Sequence, residues 1–224
     1  MKCIASLTLL VCLALCGIAV AADDEGWVDL FNGEDLDGWE LKGGKAKFTV
    51  EDGVIVGTSV PNTTNSFLCT KQDFSDFMLY FEFKGHPSLN SGVQIRSQSK
   101  PEYQDGRVHG YQCELEDEAQ DRDWFGGIYD EGRRGWLYPD KKNEELCARF
   151  SEQGKKVWKN GEWNTVQIEA KGDRIQTWIN GEFRADLTDG MTSEGFIGLQ
   201  VHGVGGRTEP MSVRWRNIRI KELK

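Results

Sequence analysis

The sequence predicts an all-β protein in which two antiparallel sheets form a sandwich. Short runs of alternating apolar and polar residues recur across its 224 residues, and a period of two is typical of strands with one buried face. Asp52-Gly53 and Asn180-Gly181 lie between such runs and favour hairpin turns, because both turn positions accept positive φ. There is little helical periodicity and no βαβ spacing. Successive strands are therefore expected to pair antiparallel.

The predicted strands follow a short strand that ends in an Asn-Gly turn near residue 33. Their runs are 47–50, 54–58, 67–70, 76–84, 92–98, 110–117, 163–170, 174–179, 182–187, 195–201 and 212–221. The alternation breaks between them at 121–138, which is predicted to be loop with one short strand. Residues 139–150 are predicted to form one or two helical turns, because Leu146 and Phe150 are spaced by four. Long loops inside a domain often form part of a binding site.

Residues 1–22 are predicted to be a secretory signal peptide. Lys2 precedes a long apolar run, and Ala19-Val20-Ala21 is a small-residue cleavage site. Residues 23–224 are therefore expected to be one exported domain, periplasmic or extracellular, with no later run long enough to span a membrane. A membrane anchor is less favoured, because acidic residues follow the apolar run directly. A lipoprotein is also less favoured, because Leu13-Ala14-Leu15-Cys16 has leucine where a lipobox has a small residue.

Charge and cysteine content argue against two classes of function. A net charge of −9 is unsuited to nucleic acid, whose phosphates require a basic partner. Eight tryptophans suit neutral carbohydrate, because C–H faces of sugars stack on aromatic rings, although tryptophan also fills cores. Cys69, Cys113 and Cys147 remain after the predicted signal peptide, and they permit one disulfide without determining the pair. Their spacing fits no structural zinc site.

Residues 90–117 contain the most polar pair of predicted strands. In an extended strand alternate side chains share a face, so Gln94 and Arg96 are expected on one face of the first strand. Gln112 and Glu114 are expected together on one face of the second. If these strands are neighbours, two amides, a guanidinium and a carboxylate converge. A ligand site is the favoured interpretation, and a solvated face with a salt bridge is the alternative.

Other candidate residues lie on distant strands and on the long loop. Gln200 and His202 share a face near the end of one strand, and an unperturbed histidine pKa of roughly 6.5 suits proton transfer. Glu82 lies on the polar face of 76–84 and is expected near Arg96 and Glu114. The loop supplies aromatic candidates for sugar contacts, namely Tyr129, Trp124 and Trp136.

Six ordered motifs resemble one known family. They are GWVDLFNG at 26–33, NSGVQIR at 90–96, GYQCE at 110–114, GIY at 127–129, GLQVHG at 198–203 and RWRNI at 214–218. Together they are similar to the family once called domain of unknown function 1080 and now described as 3-keto-disaccharide hydrolases. The resemblance covers nearly all of 23–224. It implies a concanavalin A-like β-jelly roll with its site on the concave sheet, and an oxidised di- or oligosaccharide as substrate.

A sugar ketone at carbon 3 acidifies the proton on carbon 2, so the glycosidic bond at carbon 1 can break by β-elimination before water adds. This route needs a base, a donor for the enolate oxygen and an acid for the leaving group. The expected base is His202 or Glu114. The expected donors are Arg96 with Gln94 or Gln112, and the expected acid or orienting group is Glu82 or Tyr129. Gln200, Trp124 and Trp136 complete the predicted substrate contacts.

Two other functions remain open from the sequence. An ordinary jelly-roll glycosidase of the endo-glucanase type would use carboxylates near Glu114, such as Glu116 and Glu118, although Asp117 then points away from Glu114. A non-catalytic, lectin-like module would hold glycan with the loops around Trp124 and Trp136. The sequence leaves the oligomeric state undetermined.

No cofactor is firmly predicted. A divalent metal ion, with calcium as one candidate, is compatible with hard or borderline ligands at Glu82, Glu114, Asp117 and His202. No local ligand motif supports such a site, so no metal ligands are assigned.

Overall fold

The computed structural model describes residues 25–115 and 122–224. In chain order the strands are β1 (Val28–Asp29), β2 (Trp39–Gly43), β3 (Lys47–Glu51), β4 (Val54–Thr58), β5 (Ser66–Thr70), β6 (Phe77–Lys84), β7 (Ser91–Gln98), β8 (His109–Leu115), β9 (Ile128–Glu131), β10 (Gly135–Tyr138), β11 (Asn164–Lys171), β12 (Arg174–Ile179), β13 (Glu182–Thr188), β14 (Phe196–Val201) and β15 (Ser212–Glu222). One α-helix, α1 (Glu144–Val157), lies between β10 and β11, and a short 3₁₀ turn spans Gln104–Gly106.

The strands form two antiparallel sheets, as the sequence predicts. The first sheet has the order β13-β12-β11-β6-β15-β4-β3, with β1 paired to β15. The second sheet has the order β10-β9-β8-β7-β14-β5-β2. Each sheet contains strands from both halves of the chain, as in the predicted jelly-roll sandwich.

The tight turns confirm the local hairpin predictions. Asp52 and Gly53 have φ values of 50° and 75° between β3 and β4. Asn180 and Gly181 have φ values of 52° and 82° between β12 and β13. These left-handed conformations suit Asn, Asp and Gly, which explains why such dipeptides locate the turns in the sequence.

The hydrophobic core lies between the sheets. On β6 the predicted alternation is confirmed, because its four inward side chains are fully buried: Phe77, Leu79, Phe81 and Phe83. Trp215 of β15 packs in the same cluster. A second, smaller cluster of Phe67, Cys69, Val108 and Phe196 lies apart from this core. We call the face of the second sheet that points away from the core, and that holds Phe67, the outer face.

Three local features differ from the sequence prediction. The helix has fourteen residues rather than one or two turns, because Asn143 caps it by accepting a hydrogen bond of 3.0 Å from the Leu146 N–H. Residues 121–138 hold two paired strands, β9 and β10, instead of one. Strand β2 was not predicted, since only Trp39 in it is buried and the apolar alternation is weak.

The cysteines and the chain terminus complete the comparison. Cys69, Cys113 and Cys147 are all free thiols, so the disulfide that their number permits is not formed. Burial raises the pKa of the Cys69 and Cys113 thiols. Residues 1–22, the predicted signal peptide, lie outside the described residues. Within residues 25–115 and 122–224, no helix combines the length and apolar character needed to cross a membrane.

Candidate active site

The order of the second sheet brings the polar strands together. Strands β7 and β8 are neighbours, with Gln94 opposite Gln112, as the sequence analysis anticipates. Strand β9 pairs with the other edge of β8 and places Tyr129 opposite Gln112. Strand β14 pairs with the other edge of β7 and places Gln200 beside Gln112, although more than eighty residues separate the two glutamines along the chain.

Gln112, Tyr129 and Gln200 line a cavity of about 530 Å³ on the outer face. Gln94, which the sequence also offered as a substrate contact, is fully buried and does not line this cavity. The lining residues of the cavity are Asn65, Leu89, Asn90, Arg107, Gln112, Glu114, Arg122, Tyr129, Glu131, Trp136, Lys141, Gln200, His202, Gly203 and Arg207. The cavity therefore combines carboxylates, amides, a phenol, an imidazole, an indole and several cations. A volume of this size accommodates a sugar ring with its hydroxyl groups.

A chain of hydrogen bonds fixes the amides in the cavity floor. The Ser97 hydroxyl donates to Gln94 Oε1 at 2.6 Å, and Gln94 Nε2 donates to Gln112 Oε1 at 2.5 Å. Gln112 Nε2 then donates to Glu114 Oε1 and faces Gln200 Oε1 at 3.4 Å. This order determines which end of each amide faces its neighbour, because a carboxylate and an amide oxygen only accept.

This chain of hydrogen bonds leaves one buried donor, the side-chain nitrogen of Gln200, without a partner among the described residues. Gln200 is 0% exposed, and its Nε2 has no hydrogen-bond partner among the described residues. A buried donor without a partner costs about 1–3 kcal/mol, so such atoms are few in native structures. Gln200 lines the cavity, so this nitrogen is a buried donor in the cavity wall whose hydrogen-bonding capacity no described residue uses.

Buried Glu114 and half-buried Tyr129 lie beside this floor. Glu114 is 4% exposed and accepts the hydrogen bond from Gln112. Burial raises the pKa of the Tyr129 hydroxyl, and the carboxylates of Glu131 and Glu114 raise it further. The Tyr129 phenol therefore stays protonated near neutral pH and can donate a hydrogen bond to a ligand.

His202 lies at the exposed edge of the cavity. Its Nδ1 is 2.8 Å from the carbonyl oxygen of Gly203. A carbonyl only accepts hydrogen bonds, so Nδ1 carries the hydrogen and, in the neutral ring, Nε2 retains the lone pair. The imidazole is thus held in the tautomer that can accept a proton through Nε2.

Arg96 is not in the cavity, and its predicted role as an oxyanion donor is not supported. Its φ is 46°, and the register of β7 with β8 shifts between Ile95 and Gln98. This β-bulge breaks the period of two on which the prediction depended. The guanidinium instead donates to the carbonyl oxygens of Ser75 and Gly172 at 2.6 and 2.7 Å, and to Asp76 Oδ1 at 2.8 Å.

Glu82 is also separate from the cavity, because β6 belongs to the first sheet. Its carboxylate pairs with Arg216 at 2.7 Å and accepts a hydrogen bond from Asn217 at 2.6 Å. The sequence assigned Glu82 to a polar face correctly. It could not show that this face lies on the opposite sheet from Glu114.

The tryptophans have unequal positions. Trp136 lines the cavity, whereas Trp124 does not. The Trp124 ring packs edge-on against the Trp136 ring, with 4.7 Å between the two ring centroids. Trp124 Nε1 donates to the Ser151 hydroxyl at 2.9 Å, which ties this pair to α1. Arg122 lies over both indoles, at 5.5 and 5.2 Å from their centroids.

The chain matches the model of the 3-keto-alpha-glucoside-1,2-lyase-like domain over residues 26–221. It belongs to this family. The motifs from which the sequence resemblance was drawn all lie within the matched range. Four of them supply residues of the cavity, namely Asn90, Gln112, Glu114, Tyr129, Gln200, His202 and Gly203.

Solved structures share the fold of this 3-keto-alpha-glucoside-1,2-lyase-like domain. A candidate glycosyl hydrolase from Parabacteroides distasonis is 24% identical, with a TM-score of 0.60 and coverage of 89% of this chain and 95% of that one. A galectin-like protein of unknown function from Bacillus subtilis is 13% identical, with a TM-score of 0.60 and coverage of 88% and 94%.

A carbohydrate-binding module from Bacillus subtilis is 16% identical, with a TM-score of 0.54 and coverage of 83% and 96%. At these identities the three likenesses establish the jelly-roll fold alone. No curated protein matches the chain.

Sequence reasoning missed several cavity residues of this lyase-like domain. Glu131 is the most notable, because it is 7% exposed and burial raises the pKa of its carboxyl group. It lies in a run of four strand residues, which contributes only two side chains to each face and therefore shows almost no periodicity. The cations Arg107, Lys141 and Arg207 lie outside strands, where parity gives no signal.

The remaining candidates from the sequence are carboxylates near Glu114 and a divalent metal site. Glu116, Asp117 and Glu118 lie outside the described residues. Across 25–115 and 122–224, no three His, Cys, Asp or Glu side chains are grouped closely enough to hold a metal ion. The considered ligand set is not brought together, because Glu82 lies on the other sheet.

Proposed function

We propose that this protein is a carbohydrate-active enzyme that cleaves glycosides oxidised at sugar carbon 3. The observation that carries the proposal is the convergence of His202, Glu114 and Tyr129 with the unpartnered Gln200 donor in one cavity. Membership of the 3-keto-alpha-glucoside-1,2-lyase-like family supports this substrate class, because a 1,2-lyase eliminates across carbons 1 and 2.

In the proposed reaction His202 Nε2 removes the proton from carbon 2, and the electron pair passes to the carbon 3 oxygen as an enolate. Gln200 Nε2 donates a hydrogen bond to that oxygen. A buried donor aimed at a developing negative charge stabilises the transition state strongly, because the protein dipole needs no reorganisation. Glu114 accepts a hydrogen bond from the sugar hydroxyl at carbon 2, and the protonated Tyr129 orients the ring.

The enolate then collapses. The carbonyl at carbon 3 reforms, a double bond forms between carbons 1 and 2, and the electron pair of the glycosidic bond leaves with the alcohol oxygen, which takes up a proton. Water adds its hydroxyl to carbon 1 and a hydrogen to carbon 2. One glycoside and one water thus give one 3-keto sugar and one alcohol.

The carboxylate geometry favours this route over ordinary glycoside hydrolysis. Glu131 lies opposite Gly110 of β8, and Gly110 is four residues from Glu114. The backbone positions of Glu131 and Glu114 are therefore about 13 Å apart along the strand direction. Paired carboxylates of glycosidases are about 5–9.5 Å apart. Glu114 and Glu131 would have to lean towards each other to act as such a pair.

The substrate test compares 3-keto-trehalose with trehalose in D₂O. We expect cleavage of the oxidised sugar alone, with deuterium at carbon 2 of the product detected by NMR. Cleavage of cellobiose or laminarin would instead identify a conventional glycosidase, and tight binding without turnover would identify a lectin-like module. A parallel reaction with chelator determines whether a divalent ion is required.

The residue test uses His202→Ala and Glu114→Gln. Removal of a general base typically costs 10²–10⁴ in rate, so we expect kcat of His202→Ala on 3-keto-trehalose to fall by about that factor. His86→Ala is the matched control, because His86 does not line the cavity. Full activity in both folded site variants would refute the assignment.

A further inference from the structure

A second cavity of about 630 Å³ adjoins the first on the outer face. Asn65, Arg107 and Glu131 line both cavities, so the two form one continuous cleft. Phe67 and Val108 provide apolar surface in the second cavity, and the Gln104–Gly106 turn closes one side of it with polar groups. An apolar floor with hydrogen-bonding groups at the edge is the usual lining of a sugar subsite.

Glu131 lies at the junction of the two cavities. It is on the outer face of β9, two residues after Tyr129, and the residue opposite it in β8 is Gly110. A Cβ on Gly110 would lie within 2.3 Å of the Ser97 hydroxyl oxygen, so no larger residue fits there. The space beside the Glu131 carboxyl group is therefore free of a cross-strand side chain.

The surroundings of Glu131 suit a group that gives up a proton. Burial raises the pKa of its carboxyl group, and the opposing effects of Arg107, His202 and Asn65 do not cancel this increase. Arg107 Nη2 is 3.6 Å from Glu131 Oε1 and can stabilise the carboxylate after the proton leaves. Glu131 and His202 both line the first cavity, so the proposed base and this acid face the same space.

We propose that the cleft holds two sugar rings, with the oxidised ring in the first cavity and the leaving sugar in the second, and that Glu131 protonates the glycosidic oxygen between them. This inference rests on the proposed function. As the bond from carbon 1 to oxygen breaks, the oxygen keeps the electron pair and takes the Glu131 proton. The proton that His202 removes from carbon 2 restores Glu131 through solvent, so the enzyme is unchanged after each turnover.

Glu131→Gln tests the acid with two substrates that share the oxidised ring. 3-Keto-trehalose has a poor leaving group that needs protonation, whereas a 4-nitrophenyl 3-keto-α-glucoside releases a phenolate that does not. We expect kcat/KM to fall by about 10²–10⁴ for the disaccharide and by less than about tenfold for the nitrophenyl glycoside. Glu102→Gln is the matched control, because Glu102 is exposed and lines neither cavity.

The outcomes separate this inference from the proposed function. An equal loss on both substrates, or no loss on either, would overturn the acid role of Glu131 while wild-type turnover of 3-keto sugars still stood. If the wild-type protein cleaves neither substrate, the proposed function fails, and the role of Glu131 fails with it.

Phe67→Leu tests the second subsite, since it keeps an apolar side chain but removes the flat ring. We expect KM for 3-keto-trehalose to rise about three- to tenfold, because one lost stacking contact is worth about 0.5–1.5 kcal/mol. The KM for methyl 3-keto-α-glucoside should stay unchanged, because this substrate has no second ring. Phe183→Leu is the control, because Phe183 is exposed on the first sheet. Equal KM changes for both substrates, with the melting temperature unchanged, would rule out a leaving-sugar subsite at Phe67.

Discussion

Arg96 links the two sheets through its buried guanidinium. It belongs to β7 of the second sheet, while its partners Ser75, Asp76 and Gly172 lie next to strands of the first sheet. Arg96 is 0% exposed and does not line the cavity, whereas the Asp76 side chain that it contacts is 37% exposed. The function of Arg96 is therefore to hold the sandwich together rather than to contact a substrate.

Arg96→Leu is expected to lower the free energy of unfolding by about 3 kcal/mol, because three hydrogen bonds from a charged donor are lost between the sheets. The kcat/KM of the folded fraction should stay within about twofold of wild type, since Arg96 does not line the cavity. Urea unfolding and steady-state kinetics on 3-keto-trehalose measure the two effects. Arg174→Leu, which breaks an exposed pair with Asp186, is the control and should change stability little.

A loss of 100-fold or more in rate without a change in stability would restore Arg96 to the catalytic role that its sequence context suggested.

The position of the Gln112 side chain depends on a glycine in the neighbouring strand β7. Gly92 of β7 lies beside the Gln112 side chain, and a Cβ at Gly92 would be 2.6 Å from Gln112 Cδ. The glycine therefore leaves the space that lets Gln112 reach Glu114 and Gln200. Strand pairing thus determines the geometry of the cavity floor.

Gly92→Ala is expected to reduce kcat on 3-keto-trehalose by about 10–100-fold, because the added methyl group displaces the Gln112 amide by more than the tolerance of a catalytic site. Stability should change much less, since the obstructing group is a flexible side chain. Gly206→Ala is the matched control, because its nearest neighbour would be at 3.8 Å. Unaltered kinetics in Gly92→Ala would indicate that Gln112 does not support the reaction.

The two sheets have a second connection at Asp189, which lies between β13 and β14. Asp189 accepts hydrogen bonds from the Tyr111 hydroxyl of β8 and, at 2.8 Å, from Arg134 in the β9–β10 turn. Burial alone would raise the pKa of Asp189, but the hydrogen bonds from Arg134 and Tyr111 outweigh it and lower the pKa to about 2. The ionised Asp189 carboxylate thus links the first and second sheets through these hydrogen bonds.

The lowered pKa of Asp189 predicts that this carboxylate makes a pH-dependent contribution to the free energy of unfolding. Because the folded pKa lies below the unfolded value of 3.8, the contribution is complete above about pH 4 and is lost as the pH falls towards 2. Because solvent partly screens the pair with Arg134, this contribution amounts to about 1 kcal/mol. Asp189→Asn should therefore lower the unfolding free energy at pH 6 and flatten its decline between pH 4 and pH 2.

Urea unfolding at several pH values measures this effect, and Asp73→Asn is the control because Asp73 is exposed. Parallel curves for wild type and Asp189→Asn across this range would show that Asp189 does not supply the contribution.

The sequence by itself determined the features that depend on neighbours along the chain. Alternation placed the inward side chains of β6, and it placed Gln112 with Glu114 and Gln200 with His202, because the faces of a regular strand follow from its period of two. The dipeptides at Asp52 and Asn180 located hairpins, because positive φ is a local preference.

The tertiary structure alone decided which strands are neighbours and where the period of two fails. The bulge at Arg96 redirects its side chain, and the sheet order separates Glu82 from Glu114. The meeting of Glu131 with His202 and Arg107 joins three separate parts of the chain. Such contacts depend on sheet order and loop path, which are set by packing of the whole core rather than by any local pattern.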